Sequence, residues 1–300
     1  MRTVLNSRAK MPRDLAIFAK QYKISHRDLL STNPKTEKSK IQTYILHLAP
    51  ADISGVNVCP GAGNCRKICL HFAGNPVYMT NKQKARIRRT LSFAAENQRF
   101  VQILIMAILD KINKNPGEPI AVRLNGTSDV LWENVDVTIT PEFSTFCRIK
   151  FGHQLPTGKR NIFEIFNIIA TNNGPRVIFY DYTKIKRNWA ECKRLGYHLT
   201  ASFDGWENAA NLKICRDALK NGVNVAAAFN LKKGQDLPHY VSAAGLIDGA
   251  NDGQVFAVYD GDLSDFRPAD PSYGTIIGLR FKLPHGIAYT EAEKKAFCIA

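Results

Sequence analysis

The stretch Ile120-Ala121-Val122-Arg123-Leu124-Asn125-Gly126-Thr127-Ser128-Asp129 decides the fold. A short apolar run, β-branched at Ile120 and Val122, reads as a buried strand, and it stops in a burst of polar groups. The phrase recurs. Val177–Phe179 runs into Tyr180-Asp181-Tyr182-Thr183-Lys184, and Leu199–Ala201 ends at Ser202-Phe203-Asp204. Val225–Phe229 ends at Asn230, with Lys232 and Lys233 beyond it, and Val255–Val258 runs into Asp260, Asp262, Asp265, Arg267 and Asp270. In parallel α/β folds the C-termini of the strands share one edge, where ligands bind. The bursts therefore mark Asp129, Tyr182, Lys184 and Asp260 as candidate catalytic groups. Arg123, Asn125, Ser128, Ser202, Asn230, Asp262 and Arg267 are candidates for substrate or cofactor binding. Any one burst alone reads as a turn, because Asn, Asp, Ser and Thr favour turns; the shared phase of five points to a site.

Working outward, further strands are expected at Thr43–Leu48, Thr275–Arg280 and Phe146–Phe151. One long helix should run from Asn81 to about Lys114, capped by Thr80 and stopped before Pro116. Asn161–Thr171, Arg187–Leu195 and Asn208–Lys220 read as helices, with Gly196 and Gly222 where C-caps belong. Strands alternating with helices predict a mainly parallel sheet, and seven or eight strands over about 240 residues is the size of a (β/α) barrel, complete or partial. Residues 41–300 are assigned to that domain. Residues 1–40 read as a basic N-terminal appendage and linker, with short helices over Asp14–Tyr22 and His26–Leu30.

The chain has 300 residues, 45% hydrophobic and 22% charged, which excludes wholesale disorder. Its longest aliphatic run, Ile103–Leu109, is far short of the roughly 20 residues that cross a bilayer, and no secretory signal is visible. A cytoplasmic, reducing setting and no membrane partner are expected. The formal charge is +15, concentrated in two blocks. Residues 1–40 carry ten Lys/Arg against three acids, and residues 66–99 carry eight against Glu96 alone. Such blocks suit a nucleotide or nucleic acid as well as a solvated face. Lys82, Arg86 and Arg89 share one face of the long helix. They are the candidate phosphate contacts, with Ile87, Leu91, Ala94 and Ala95 as the buried side.

The sharpest motif is Cys59-Pro60-Gly61-Ala62-Gly63-Asn64-Cys65-Arg66-Lys67-Ile68-Cys69, within a loop over residues 57–71. Three thiols spaced C-x5-C-x3-C in a reducing compartment predict metal ligation by Cys59, Cys65 and Cys69. Thiolates suit both iron–sulfur clusters and zinc. A 4Fe–4S cluster on three cysteines leaves one iron open; zinc would want a fourth ligand, with His71 or Cys298 at hand. Cys192 and Cys215 read as buried thiols within helices. Asp260-Gly261-Asp262-Leu263-Ser264-Asp265 could hold a cation or ribose hydroxyls, with Arg267 pairing one of its carboxylates. No P-loop, Rossmann glycine fingerprint or H-E-x-x-H occurs.

The string Asn57-Val58-Cys59-Pro60-Gly61-Ala62, then Cys65 and Cys69-Leu70, resembles a phage-encoded family catalogued as gene product eighty-eight. Further matches follow in order over about residues 29–282. They include Ala85-Arg86-Ile87-Arg88-Arg89-Thr90, Arg123 to Asp129, Tyr180 to Lys184, His198-Leu199-Thr200 and Asp260-Gly261-Asp262. A three-cysteine loop opening an α/β barrel also looks like the radical S-adenosylmethionine superfamily, which implies a 4Fe–4S cluster with S-adenosylmethionine on its open iron. The usual spacing there is C-x3-C-x2-C, tighter than here, and Asn125-Gly126-Thr127 stands where a Gly-Gly-Glu motif is found. With the basic blocks beside the cysteine loop, the expectation is an iron–sulfur enzyme acting on a nucleotide or nucleic acid; the phage resemblance implies the cytoplasm of an infected bacterium. The other reading is a nucleic-acid-binding protein without turnover, its cysteine loop a structural zinc or cluster site.

Overall fold

The computed structural model describes residues 9–33, 41–66, 69, 80–172, 174–242, 255–271, 273–282 and 288–299. Its first elements are α1 (Arg13–Tyr22), α2 (His26–Leu29), β1 (Leu30–Ser31), β2 (Gln42–Leu46), α3 (Thr80–Ala95), α4 (Asn97–Lys114) and β3 (Ile120–Arg123). A hairpin of β4 (Asp136–Ile139) and β5 (Gly158–Asn161) encloses α5 (Pro141–Phe151). Then come α6 (Ile162–Thr171), β6 (Val177–Thr183), α7 (Trp189–Arg194), β7 (Tyr197–Ser202), α8 (Ala209–Lys220) and β8 (Val225–Phe229). The chain closes with β9 (Tyr240–Ser242), β10 (Val255–Asp260), β11 (Ile276–Arg280) and α9 (Glu291–Phe297). Among the described residues no helix is long and apolar enough to cross a membrane.

Nine strands form one mainly parallel sheet in the order β1-β2-β3-β6-β7-β8-β11-β10-β9. The expected alternation is met: β2, β3 and β6 are parallel neighbours, as are β7, β8, β11 and β10. The expected barrel is not; the sheet is open among the described residues. A barrel needs each strand flanked by its chain neighbours. Here β11 is inserted between β8 and β10, and short antiparallel strands, β1 and β9, end the sheet.

The chain divides into two compact units, and β6 and β7 pass from one to the other. Unit 1 comprises residues 1–58, 81–179 and 191–197. Its core is α4, where every residue from Phe100 to Leu109 is buried; each such large apolar side chain contributes about 1.5–3 kcal/mol. Residues 13–31, expected as an appendage, belong to this unit. Leu15, Phe18, Leu29 and Leu30 are buried, and Leu30 pairs with Leu46 in the sheet. Unit 2 comprises residues 59–80, 180–190 and 198–300. Its core includes Tyr180, Phe203, Phe229, Ile276 and Ile277.

Three local expectations are corrected. Phe146–Phe151 is not a strand but the end of α5. Thr140 caps this helix by accepting from the Phe143 N–H, Pro141 sits in its first turn, and Gly152 ends it at φ 82°. Those signals outrank the β-propensity of its phenylalanines. The long helix is two: Glu96, at φ −148° and ψ 80°, breaks it without Gly or Pro. The face of α3 is also turned. Arg86 and Thr90 are buried, whereas Leu91 is exposed. A polar contact fixes this orientation: Thr90 Oγ1 accepts from the Ala49 N–H (2.8 Å) and donates to the Arg86 carbonyl (3.0 Å). The expected basic outer face therefore keeps Lys82 in solvent but takes Arg86 inside.

Candidate metal centre

The cysteine loop of unit 2 is docked on one carboxylate. Asp204, fully buried just past the end of β7, accepts from the backbone N–H of Asn64 (3.0 Å), that of Cys65 (3.0 Å) and the Asn208 amide (2.9 Å). Its own carbonyl accepts from Asn64 Nδ2 at 2.8 Å. Its N–H donates to Asn211 Oδ1, which fixes the side chain against the start of α8. The loop reaches Asp204 because residue 63 has no side chain: a Cβ on Gly63 would lie 2.4 Å from Asp204 Oδ2 and 2.8 Å from Asn208 Nδ2. Cys65 follows at once, in a single turn of tight helix over Asn64–Arg66.

Lys184, one residue past β6, completes the arrangement. Its ammonium donates to Ser202 Oγ (3.0 Å) and the Phe203 carbonyl (3.0 Å), and lies 3.4 Å from Asp204 Oδ1. With these acceptors around it, Lys184 is a charge anchor. Burial pushes the Cys65 thiol up to about 12; the Lys184 ammonium opposes this, while Asp204, Cys69 and Cys59 add to it. All seven cysteines are thiols. Cys59, Cys65 and Cys69 thus share one local field, with a cation beside them. Among the described residues no three of His, Cys, Asp and Glu are gathered closely enough to hold a metal ion. The donor set still fits one in kind: three soft ligands on a glycine-bearing loop, its backbone held, and a lysine to offset thiolate charge.

The proposed fourth ligands fare differently. His71 lies outside the described residues. Cys298 is buried in unit 2, where Trp206 Nε1 donates to its carbonyl at 2.9 Å and the Trp206 N–H to that of Ala296 at 2.8 Å. Cys192 and Cys215 are buried in α7 and α8, as expected, and Cys147 is buried in α5.

The remaining predicted residues fall into separate groups. In unit 1, the Asn125 side chain is a structural hub. Its Oδ1 accepts from Ser128 Oγ (2.9 Å), the Val130 N–H (2.9 Å) and Trp132 Nε1 (3.1 Å). Its Nδ2 donates to the Val130 carbonyl and Tyr197 Oη. Asp129 is buried beside it, its N–H on the Val58 carbonyl at 2.7 Å, and Arg123 closes β3. In unit 2, Lys184 and Ser202 join the cysteine loop, Tyr182 is half-buried on β6, and Asn230 is exposed.

Asp260 and Asp262 form an ion network with a residue missed from the sequence. Arg280 Nη1 lies 3.0 Å from Asp260 and 3.2 Å from Asp262, and Lys282 is 2.7 Å from Asp262. The Arg280 bond holds Asp260 below the usual carboxylate range. Arg267 does not pair with these aspartates. It is fully buried, donates to the Gly261 carbonyl and lies 3.2 Å from Asp270. Helical spacing, three residues along, explains the choice. Of the residues the sequence reading missed, Asp204 carries most weight; its signal was present, since it ends the burst after Leu199–Ala201.

The model of the family described as Gene product 88 matches residues 20–300. No curated protein and no solved structure matches the chain.

Proposed function

The chain belongs to the gene product 88 family, and from that premise we propose that its cysteine loop carries a thiolate-bound iron–sulfur centre serving an enzyme that acts on a nucleotide or nucleic acid. Cys59, Cys65 and Cys69 are the protein ligands. A 4Fe–4S cluster on three thiolates supplies one open iron, on which an exogenous ligand such as S-adenosylmethionine can be polarised or reduced. The chain's own residues do the rest. Asp204 clamps the Asn64–Cys65 backbone, so the ligand loop stays in place without metal. Lys184 sets a positive charge beside thiolates that burial alone would protonate. Ser202 and Asn208 hold the two charges in register. The surplus of basic residues favours an anionic substrate.

The observation that carries the reading is the docking of a three-cysteine loop onto buried Asp204, paired with half-buried Lys184, at the C-terminal ends of parallel strands. That edge is where α/β folds bind ligands. Anaerobic purification followed by iron, zinc and acid-labile sulfide analysis tests it. The expected preparation is brown, absorbs near 400 nm and binds S-adenosylmethionine in titration. A colourless protein with stoichiometric zinc would overturn the iron–sulfur assignment and favour a structural metal in a nucleic-acid-binding protein.

A further inference from the structure

Unit 1 contains a cleft of about 200 Å³ between the α1–α2 turn and α3. Its polar lining is Lys23, Ser25, Asp28, Arg88 and Arg89, over Leu29. Three cations thus face one carboxylate. Arg89 is held in place: its guanidinium donates to the Asp28 carbonyl and, at 3.5 Å, to the His47 carbonyl. Arg88 is half-buried on the wall of the cleft, and among the described residues its Nε has no hydrogen-bond partner, so its guanidinium keeps unused donor capacity. Ser25 Oγ accepts from the Arg27 N–H at 3.2 Å, which leaves its own proton to donate. Lys23 ends α1 in the left-handed conformation, φ 51°, with its N–H turned back to the Ala19 and Lys20 carbonyls and its side chain exposed.

We propose that this cleft binds a phosphate group, with Arg88, Arg89 and Lys23 as cationic contacts and Ser25 as a hydroxyl donor. A phosphate offers several acceptor oxygens and enough charge to relieve the repulsion between adjacent guanidinium groups, which a single carbonyl or hydroxyl does not. The volume leaves room for part of a sugar, so the phosphate can come free or on a nucleotide. The assignment differs from the helix face read from sequence: Arg88, not the buried Arg86, is the central contact. It stands apart from the metal reading, because its residues belong to unit 1 and the cysteine loop to unit 2.

Titration calorimetry on the full chain at low ionic strength tests it with three probes: inorganic phosphate, adenosine monophosphate and a short oligothymidylate. At least one should bind saturably. Arg88→Gln is the primary variant, since Arg89→Ala would also strip bonds that hold α2. It should weaken binding about tenfold, the factor one charge-assisted hydrogen bond represents. Lys159→Ala, an exposed lysine in the β4–β5 hairpin, should leave binding unchanged. Tighter binding of the nucleotide than of free phosphate identifies the sugar-bearing source; equal binding identifies a plain phosphate site. No saturable binding of any probe at millimolar concentration, or affinity indifferent to Arg88→Gln, overturns the proposal.

Discussion

Two polar knots, each just past a parallel strand, hold their surroundings by different means. After β3, Asn125 ties its own loop: three groups within seven residues bond its side-chain oxygen. After β7, Asp204 ties a loop 140 residues distant in sequence, and does so with a full charge. The first knot is neutral, and the three groups on the Asn125 oxygen are local to its own loop. The second brings an ammonium and three thiols into one field and leaves soft donors at its rim. A neutral local knot stabilises a turn. A charged long-range one fixes a distant loop, and under the proposed function this contrast separates scaffold from site.

The comparison breaks most visibly at Asp204. Asp204→Ala removes the carboxylate beside the half-buried Lys184 and leaves the Asn64 and Cys65 N–H groups and the Asn208 amide without their acceptor; it should cost about 3–5 kcal/mol, the combined loss of several donors at about 1–3 kcal/mol each, read as a fall in the urea midpoint together with loss of bound metal. Asn125→Ala should cost a comparable amount, about 1–3 kcal/mol for each group left unpaired, yet metal content per folded chain should stay at the wild-type level. Equal metal loss in both variants would erase the distinction. Gly63→Ala forces a Cβ into Asp204 and should cost about 1–3 kcal/mol, with the loss showing as faster proteolysis near the cysteine loop.

The smallest effect concerns pH. His47, buried near Arg86, Arg123, Lys82 and Arg89, is pushed down to about 2 by burial first and those cations second. It is neutral in the folded protein and titrates near 6.5 when unfolded. Its contribution is therefore present above pH 6.5 and lost as pH falls, at about 1.4 kcal/mol per pH unit. Urea midpoints at pH 6.5 and 5.5 should differ by less in a His47→Asn variant. An unchanged slope would contradict the burial of a neutral imidazole.

Much of the architecture was legible. Seven strands at Gln42–Leu46, Ile120–Arg123, Val177–Thr183, Tyr197–Ser202, Val225–Phe229, Val255–Asp260 and Ile276–Arg280 lie within a few residues of the apolar runs that announced them. Periodicity and caps report local free energy, and these elements are local. Strand order is not: nothing in the β11 sequence says that it enters between β8 and β10. The α3 face was misjudged because the Thr90–Ala49 bond decided its rotation against the apolar stripe. At the candidate site, the cysteine spacing was plain, but its anchor was not. Asp204 looked like another turn-former, and Arg280 like the end of a strand; partners 140 and 20 residues away gave them their roles.

The claim that Cys59, Cys65 and Cys69 hold an iron–sulfur centre meets its most direct test in a pair of variants purified without oxygen. Cys65→Ala removes the thiol beside the Asp204-bound backbone; Cys192→Ala removes a buried thiol of unit 1. Circular dichroism should report both as folded. Absorbance near 400 nm and acid-labile sulfide should vanish from the first and persist in the second. A chromophore that survives Cys65→Ala, or one lost equally from both, contradicts the assignment.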